Sequence, residues 1–214
     1  MFRGGQVQND VCSERRELLP LQWRVWCARA FATEWKNVDV LRANGELVLR
    51  TERLVLVPLT PLHEAEHARA SGNTANALRD TRSAGPQWRE HGFGPWAIRD
   101  RRDESFLGGA ELHFAGEGIE GIAPDEVEAG WWVTEDRRNE GIATEAMHAA
   151  IDDFWSRTDV ESVTAYIGGE NEPSRRLAAR LRFVVRGQGR GRSGEPMTVY
   201  ELRRPVRSIT PKES

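Results

Sequence analysis

The chain has little with which to staple or anchor itself. Only two of its 214 residues are cysteine, Cys12 and Cys27, both near the N-terminus. One pair makes no disulfide framework and no C-x-x-C is present, so a reducing, cytoplasmic setting is expected. No apolar run reaches the roughly 18 residues of a membrane span, and no membrane partner is expected. A net charge of −3 gives no global field toward nucleic acid or anionic lipid, so no nucleic-acid partner is expected either. Lysine is almost missing, with only Lys36 and Lys212; the other basic residues are arginines. Internal repeats and low-complexity blocks are absent.

The composition, 39% hydrophobic and 29% charged, is ordinary for one globular domain with an extension. Residues 1–46 form that extension. They hold Trp23, Trp26 and Trp35 without a clean period, and a poorly ordered leader is the favoured reading. Leu18, Leu21, Val25 and Trp26 suit one face of a short helix as the alternative. Within 14–32 a paired arginine and an A-x-A-like end imitate a signal peptide, but Arg24, Arg29 and Pro20 interrupt the apolar region. The domain is placed at 47–204, with 205–214 as a loose tail.

Inside the domain the periodicity is clearer. "RLVLVPL" predicts a strand stopped by Pro58. "TPLHEAEHARASG" predicts a helix with Thr60 as N-cap, Pro61 at its first position and Gly72 at its end. "GPWAIRD" and "FLGGAELHF" read as strands joined by a polar turn, and a glycine-rich acidic loop leads to the strand "VEAGWWV". A helix follows from Ile142 to Trp155, its apolar residues recurring at helical spacing. "VESVTAYIG" is a strand, "NEPSRRLAARL" a helix capped by Asn171, and "RFVVRGQ" and "MTVYELRR" are closing strands. The order predicts an α/β or α+β domain with a mixed sheet.

Three motifs compete for the chemistry. "HEAEH", His63 to His67, matches the H-E-x-x-H helix of zinc peptidases. Its helix is short and polar, however, and the third ligand of the extended motif is replaced by Asn73. Two histidines on a solvated helix face, with no metal, are expected. "GRGRSG", Gly189 to Gly194, fits a dinucleotide fingerprint but precedes a strand where that fingerprint opens a helix, so a flexible hairpin loop is expected. "RRNEGIATEA" lies between the strand ending in "WWV" and the strongest helix. Gly141 permits a tight turn, Ala143 and Thr144 permit close approach, and the first helical N–H groups can meet a phosphate beside Arg137 and Arg138.

The stretch Arg138 to Ala143 resembles the R/Q-x-x-G-x-G/A acyl-CoA loop of the GNAT N-acetyltransferase superfamily. "LRTERLVLVPLT", "GPWAI", "FLGG", "EAGWWV", "NEGIATEA" and "NEPSRRLAARLRF" follow in the family's order and are similar to the branch that includes ribosomal-protein N-terminal alanine acetyltransferases. The likeness spans about 47–204. It implies a mixed, mostly antiparallel sheet flanked by helices, acetyl-CoA as co-substrate without a metal, and transfer to a primary amine. It also implies that "GWWV" splays from "VTAYI" and that the pantetheine arm pairs near Trp132 and Val133. The amides of Arg138, Asn139, Glu140, Gly141, Ile142, Ala143 and Thr144 would cradle the pyrophosphate, with Asn171 on the pantetheine side and Ser174 near the sulfur. Arg182-Phe183 stands where the family often has Gly-Phe, a departure that touches only a helix cap.

Transfer from a thioester needs a neutral amine, a donor for the oxyanion and a leaving thiolate. Glu128 matches a position where the family often carries a glutamate and is the first candidate base; Glu111 is the second. Ser174 is a candidate hydrogen-bond partner of the sulfur. Trp88, Phe93 and Trp96 flank the acceptor region, with Trp96 better suited to the core and Trp88 open. The acidic loop at 117–128 suits a cationic acceptor or is simply solvated. A protein N-terminus and a small amine both remain as acceptor, an oligomer stays open, and a non-catalytic acyl-CoA-binding regulator is the rival.

Overall fold

A computed structural model describes residues 39–43 and 46–205, with side chains from 47. The leader helix, both cysteines and the 206–214 tail lie outside the described residues. Nine strands form one sheet in the order β1-β2-β3-β4-β5-β6-β7-β9-β8. The strands are β1 (Asp39–Ala43), β2 (Glu46–Arg50), β3 (Leu54–Pro58), β4 (Trp96–Asp100), β5 (Phe106–Phe114), β6 (Val127–Val133), β7 (Ser162–Gly168), β8 (Val184–Arg190) and β9 (Pro196–Arg203). The helices are α1 (Glu64–Ser71), α2 (Thr74–His91), α3 (Ile142–Arg157) and α4 (Glu172–Arg180). All neighbouring strands are antiparallel except β6 and β7. The expected mixed, mostly antiparallel sheet is therefore present. It begins at Asp39, ahead of the boundary expected at 47.

Strand alternation gives the sheet two distinct faces. Leu54, Leu56, Trp96, Ile98, Ala110, Leu112, Val127 and Ala129 fill one face, which α3 covers with Ala146, Met147, Ala150 and Phe154. The opposite face is covered by α1 and α2. Ala77, Thr81, Ala84 and Trp88 recur at helical spacing along α2, and the first three are fully buried. Leu59, Ala84 and Ala97 form a smaller cluster there, backed by Trp88 and Phe106.

Helix ends follow their local chemistry. Gly72 and Gly92 adopt left-handed conformations and close α1 and α2. Asn171 Oδ1 accepts from Ser174 N at 3.2 Å and caps α4. Arg182, at φ +67°, occupies the same left-handed position after α4 without being glycine. The Phe183 N–H returns to Ala178 O and the Arg182 N–H to Ala179 O, which satisfies the last carbonyls of the helix. Among the described residues, no helix is long and apolar enough to cross a membrane.

Candidate active site

One seam of the sheet opens. β5 and β6 are paired at seven successive positions, from Gly108↔Val133 to Phe114↔Val127. β6 and β7 are paired only at Glu128↔Thr164, and the Thr164 hydroxyl donates to Val127 O at 3.2 Å. Beyond that point the strands fork. The Thr134 N–H donates to Leu107 O and the Ala115 N–H to Glu126 O, so the even-numbered β6 residues turn their backbone groups toward β5. Alternation then turns those of Ala129, Trp131 and Val133 into the gap. Of the two residues expected to pair with a pantetheine arm, Val133 faces the gap, whereas the Trp132 backbone is engaged with Gly109 across β5.

The fork widens into a cleft of about 430 Å³ between the start of α3 and α4. Gly141 (φ +80°) and Asn139 (φ +65°) are both left-handed and turn the chain sharply into α3. The N–H groups of Ile142, Ala143 and Thr144 head that helix, in a wall that also includes Arg138. Two arginines brace the turn, Arg53 from outside the cleft and Arg137 from within its lining. Arg53 Nε meets Glu145 Oε2 at 2.7 Å and its Nη1 donates to Glu140 O at 2.9 Å. Arg137 grips the Glu140 carboxylate at 3.0 Å and reaches Asp100 at 3.4 Å. The Arg102 guanidinium, joined by Arg137, holds Asp100 well below the usual carboxylate range. Arg137 was expected to add free charge for a phosphate; its charge is largely spent on two carboxylates.

All the expected cofactor-loop residues line the cleft except Glu140, whose side chain is held by Arg137. Asn171 and Ser174 line the opposite wall. Sequence reasoning missed Arg176, Leu177 and Arg180, which continue that wall along one face of α4. Their spacing of three, four and seven residues from Pro173 was the available signal. Arg137 and Arg138 on one side and Arg176 and Arg180 on the other line the cleft, with Arg137 held by Glu140 and Arg176 meeting Glu172 at 3.4 Å.

The two candidate bases lie on the other face of the sheet, apart from Ser174. Glu128 stands at the root of the fork, 8% exposed, with Oε2 buried and unpartnered. Burial pushes its carboxyl above the usual range against the pull of His113 and Arg192. Glu111 sits on the same face, and its Oε2 lies 3.4 Å from where a Gly130 side chain would begin. Loss of hydration raises Glu111 as well; His113 opposes this while Asp80 and Glu128 add to it.

Several expectations need correction here. His67 is not on a solvated face: it is 3% exposed, its ring 4.7 Å from that of Trp132 and its Nε2 3.6 Å from Asp80. Burial lowers its pKa, which favours the neutral ring. His63 instead accepts from the Thr60 N–H at 3.0 Å, ahead of α1. Among the described residues no group of three His, Cys, Asp or Glu could hold a metal. Of the loop expected at 189–194, Gly189 and Arg190 are part of β8 and pair with β9; in the turn that follows, Arg192 donates to Tyr166 Oη at 3.1 Å. The acidic loop is only partly solvated: Ile119 and Ile122 pack on Val199 and Glu126 pairs with Arg186, while Glu117, Glu120 and Asp125 are exposed. Phe93 and Trp96 are core at 1% exposure, and Trp88 packs edge-on against Trp96 with its Nε1 donating to Pro95 O.

A family model of the acetyltransferase (GNAT) domain matches residues 53–184. The chain belongs to the GNAT acetyltransferases. No curated protein sequence matches it. Among solved structures it is similar to a Bordetella pertussis protein assigned to the GnaT family, at 26% identity and TM-score 0.63, covering 72% of this chain and 98% of that one. The ribosomal-protein-S5-alanine acetyltransferase from Vibrio fischeri shares the fold at 12% identity and TM-score 0.58, covering 77% and 99%. So does the microcin C7 self-immunity acetyltransferase MccE, solved with acetyl-CoA and AMP, at 11% and 0.59, covering 72% and 94%. This GNAT chain is accordingly an N-acetyltransferase with acetyl-CoA as co-substrate. Its cleft fits that molecule: helix-end amides and arginines suit phosphates, and an unpaired strand edge suits an amide-bearing arm.

Proposed function

We propose that this acetyltransferase acetylates a primary amine, of a protein N-terminus or a small molecule, by direct attack from the α1–α2 face with Glu128 as base. The buried, unpartnered Glu128 oxygen at the root of the fork is the observation that supports this most. In this reading Arg138 and the amides of Asn139 through Thr144 hold the pyrophosphate. The backbone of Trp131 and Val133 pairs with the arm, and Asn171 flanks it. The amine nitrogen bonds to the thioester carbon while Glu128, directly or through a water, takes the proton it loses. A backbone N–H of β6 in the gap receives the oxyanion. The carbon–sulfur bond then breaks, and Ser174 donates a hydrogen bond to the departing thiolate.

Thiol release measured across an amine panel tests the reading. Glu128→Gln is expected to lower kcat by about 10²- to 10³-fold while acetyl-CoA affinity holds. Wild-type activity is expected to fall on the acid side at a pH above the usual carboxylate range, because protonated Glu128 cannot accept the proton. Equal rates for the two proteins at every pH would move the base elsewhere. Acetyl-CoA binding without turnover of any amine would favour a non-catalytic binder.

A further inference from the structure

A base that takes a proton in each turnover has to lose it again before the next. Glu128 is 8% exposed and its Oε2 has no partner, so solvent offers little direct exit. The neighbour able to accept from it is His113. The two are register partners across β6 and β5, where the even-numbered β6 residues turn their backbone groups toward β5. Their side chains therefore stand side by side on the α1–α2 face, with Cβ atoms about 5 Å apart.

His113 is also placed to pass the proton on. Its Nδ1 lies 2.9 Å from Phe114 O, which can only accept, so Nδ1 is the committed donor of the ring. Nε2 is then the nitrogen at which a proton comes and goes, and it stands 3.8 Å from Glu111 Oε2. The His113 side chain is 29% exposed and that of Glu111 23%, so the row runs from the buried carboxyl toward water. Glu111 fits into the row because Gly130, its partner on β6, has no side chain; a Cβ there would begin 3.4 Å from Oε2. The other charged or titratable groups around the row are engaged. On α2, Arg79 pairs with Asp80 and His91 stands edge-on to Phe114, while on α1 His67 packs on Trp132. From the β8–β9 turn, Arg192 donates to Tyr166 Oη of β7 and to Ala115 O. An imidazole both takes and gives a proton near neutral pH, which neither arginine does.

We infer that His113 is a positioning residue for the transfer reaction, carrying the proton from Glu128 to Glu111 and so to solvent. The O–H bond of protonated Glu128 breaks as the proton joins His113 Nε2, directly or through one water. The imidazolium then gives a proton to the Glu111 carboxylate or to water, and a buffer base removes it. A ring that starts as imidazolium gives its Nε2 proton to Glu111 first and then takes the one from Glu128. The net transfer is the same from either state. His113 acts on the reaction only through Glu128, so the inference rests on the reading of Glu128 as base and deepens it.

The test measures kcat for thiol release by the full chain, at saturating acetyl-CoA and with the best amine of the panel. Wild type, His113→Ala, Glu128→Gln and the double variant are compared. His113→Ala is expected to lose at least about tenfold in kcat while the KM for acetyl-CoA holds within about twofold. Added imidazole, at fixed pH and ionic strength and corrected for the enzyme-free rate, is expected to raise the His113→Ala rate at least about threefold and to leave wild type unaltered. The double variant is expected to be no slower than Glu128→Gln alone, because a relay has nothing to carry once the base is gone. Where a thermal melt shows His113→Ala unfolded, His113→Gln takes its place under the same expectations. An unaltered kcat in the His113 variant, a loss that imidazole does not relieve, or a loss that adds in full to that of Glu128→Gln would each overturn the proposal and leave acetyl transfer intact. A Glu128→Gln variant as fast as wild type, or no turnover of any amine, would instead defeat the reading of Glu128 as base, and the relay with it.

Discussion

Strand β6 has two neighbours and is treated oppositely by them. Toward β5 it is paired along its whole length; toward β7 it is paired at Glu128 alone. An open seam inside a sheet leaves backbone groups unpaired, which is costly unless something else meets them. Here the ends of α3 and α4 frame the opening, and the arginines that frame it are divided between bracing and binding. Arg53 and Arg137 are committed to Glu145, Glu140 and Asp100, with Arg137 still in the cleft lining; Arg138, Arg176 and Arg180 also line it, and of these Arg176 meets Glu172 at 3.4 Å. The closed side makes the sheet, and the open side, in our account, makes the enzyme.

Substitutions that strike the open side should therefore spare the fold. Gly141→Trp is expected to have the largest effect. A left-handed non-glycine residue costs about 1–2 kcal/mol, a drop of a few degrees in melting temperature, while the indole blocks the anion site and weakens acetyl-CoA at least about 100-fold. Calorimetric titration beside a thermal melt checks both halves. Unchanged affinity would remove the pyrophosphate assignment.

Glu128→Gln sharpens the comparison at the single point where the two seams meet. A carboxyl raised by burial holds its proton more tightly in the folded than in the unfolded chain. Wild-type stability therefore falls as pH rises from the ordinary value of 4.5 through the raised one. Above that window the ionised group carries the full cost, about 1.4 kcal/mol for each unit of upward shift. The variant should melt higher than wild type at mildly alkaline pH, with the gap closing as pH falls toward 4.5. A variant that melts lower at every pH would mean that the carboxylate is structurally satisfied.

A smaller effect is expected behind the turn. Arg53→Ala removes its bonds to Glu145 and Glu140 O without touching the cleft, and should weaken acetyl-CoA about three- to tenfold, less than any block at Gly141. The same titration measures it; a loss as large as that of Gly141→Trp would put Arg53 in the site itself. Smallest is Arg182→Gly, remote from the fork. It should stabilise the protein by up to about 1 kcal/mol in a denaturant melt, with kcat unaltered. Destabilisation would show that the arginine side chain contributes more than its backbone strain costs.

The strands and helices that carry strong periods or caps, β3 through β7 apart from α2, together with α4, could be read from sequence to within a few residues. β1 fell inside the extension, and β2, at the head of the expected domain, was not read as a strand, because their alternation is short and follows an aperiodic, tryptophan-rich segment. Asn44-Gly45, the dipeptide favoured by two-residue hairpin loops, was the signal passed over. α2 did not emerge as an element of its own because Gly85-Pro86 reads as a break, whereas the structure carries Pro86 inside the helix. The phosphate-side turn was legible because glycine position and helix start are local properties. The division of arginines into braces and wall residues was not, since it depends on Asp100 and Glu145, which lie far from Arg137 and Arg53 in sequence. His67 was misjudged for the same reason: its burial is set by Trp132 and Asp80, on other elements.

The most direct test of the open seam is the affinity of chelator-treated protein for acetyl-CoA, measured by calorimetry. Binding in the micromolar range, abolished by Gly141→Trp and accompanied by thermal stabilisation of roughly 2.7 kcal/mol at about 100 times the dissociation constant, is the predicted result. Absence of binding to the metal-free wild-type chain would contradict it and leave the fork between β6 and β7 without the ligand that explains it.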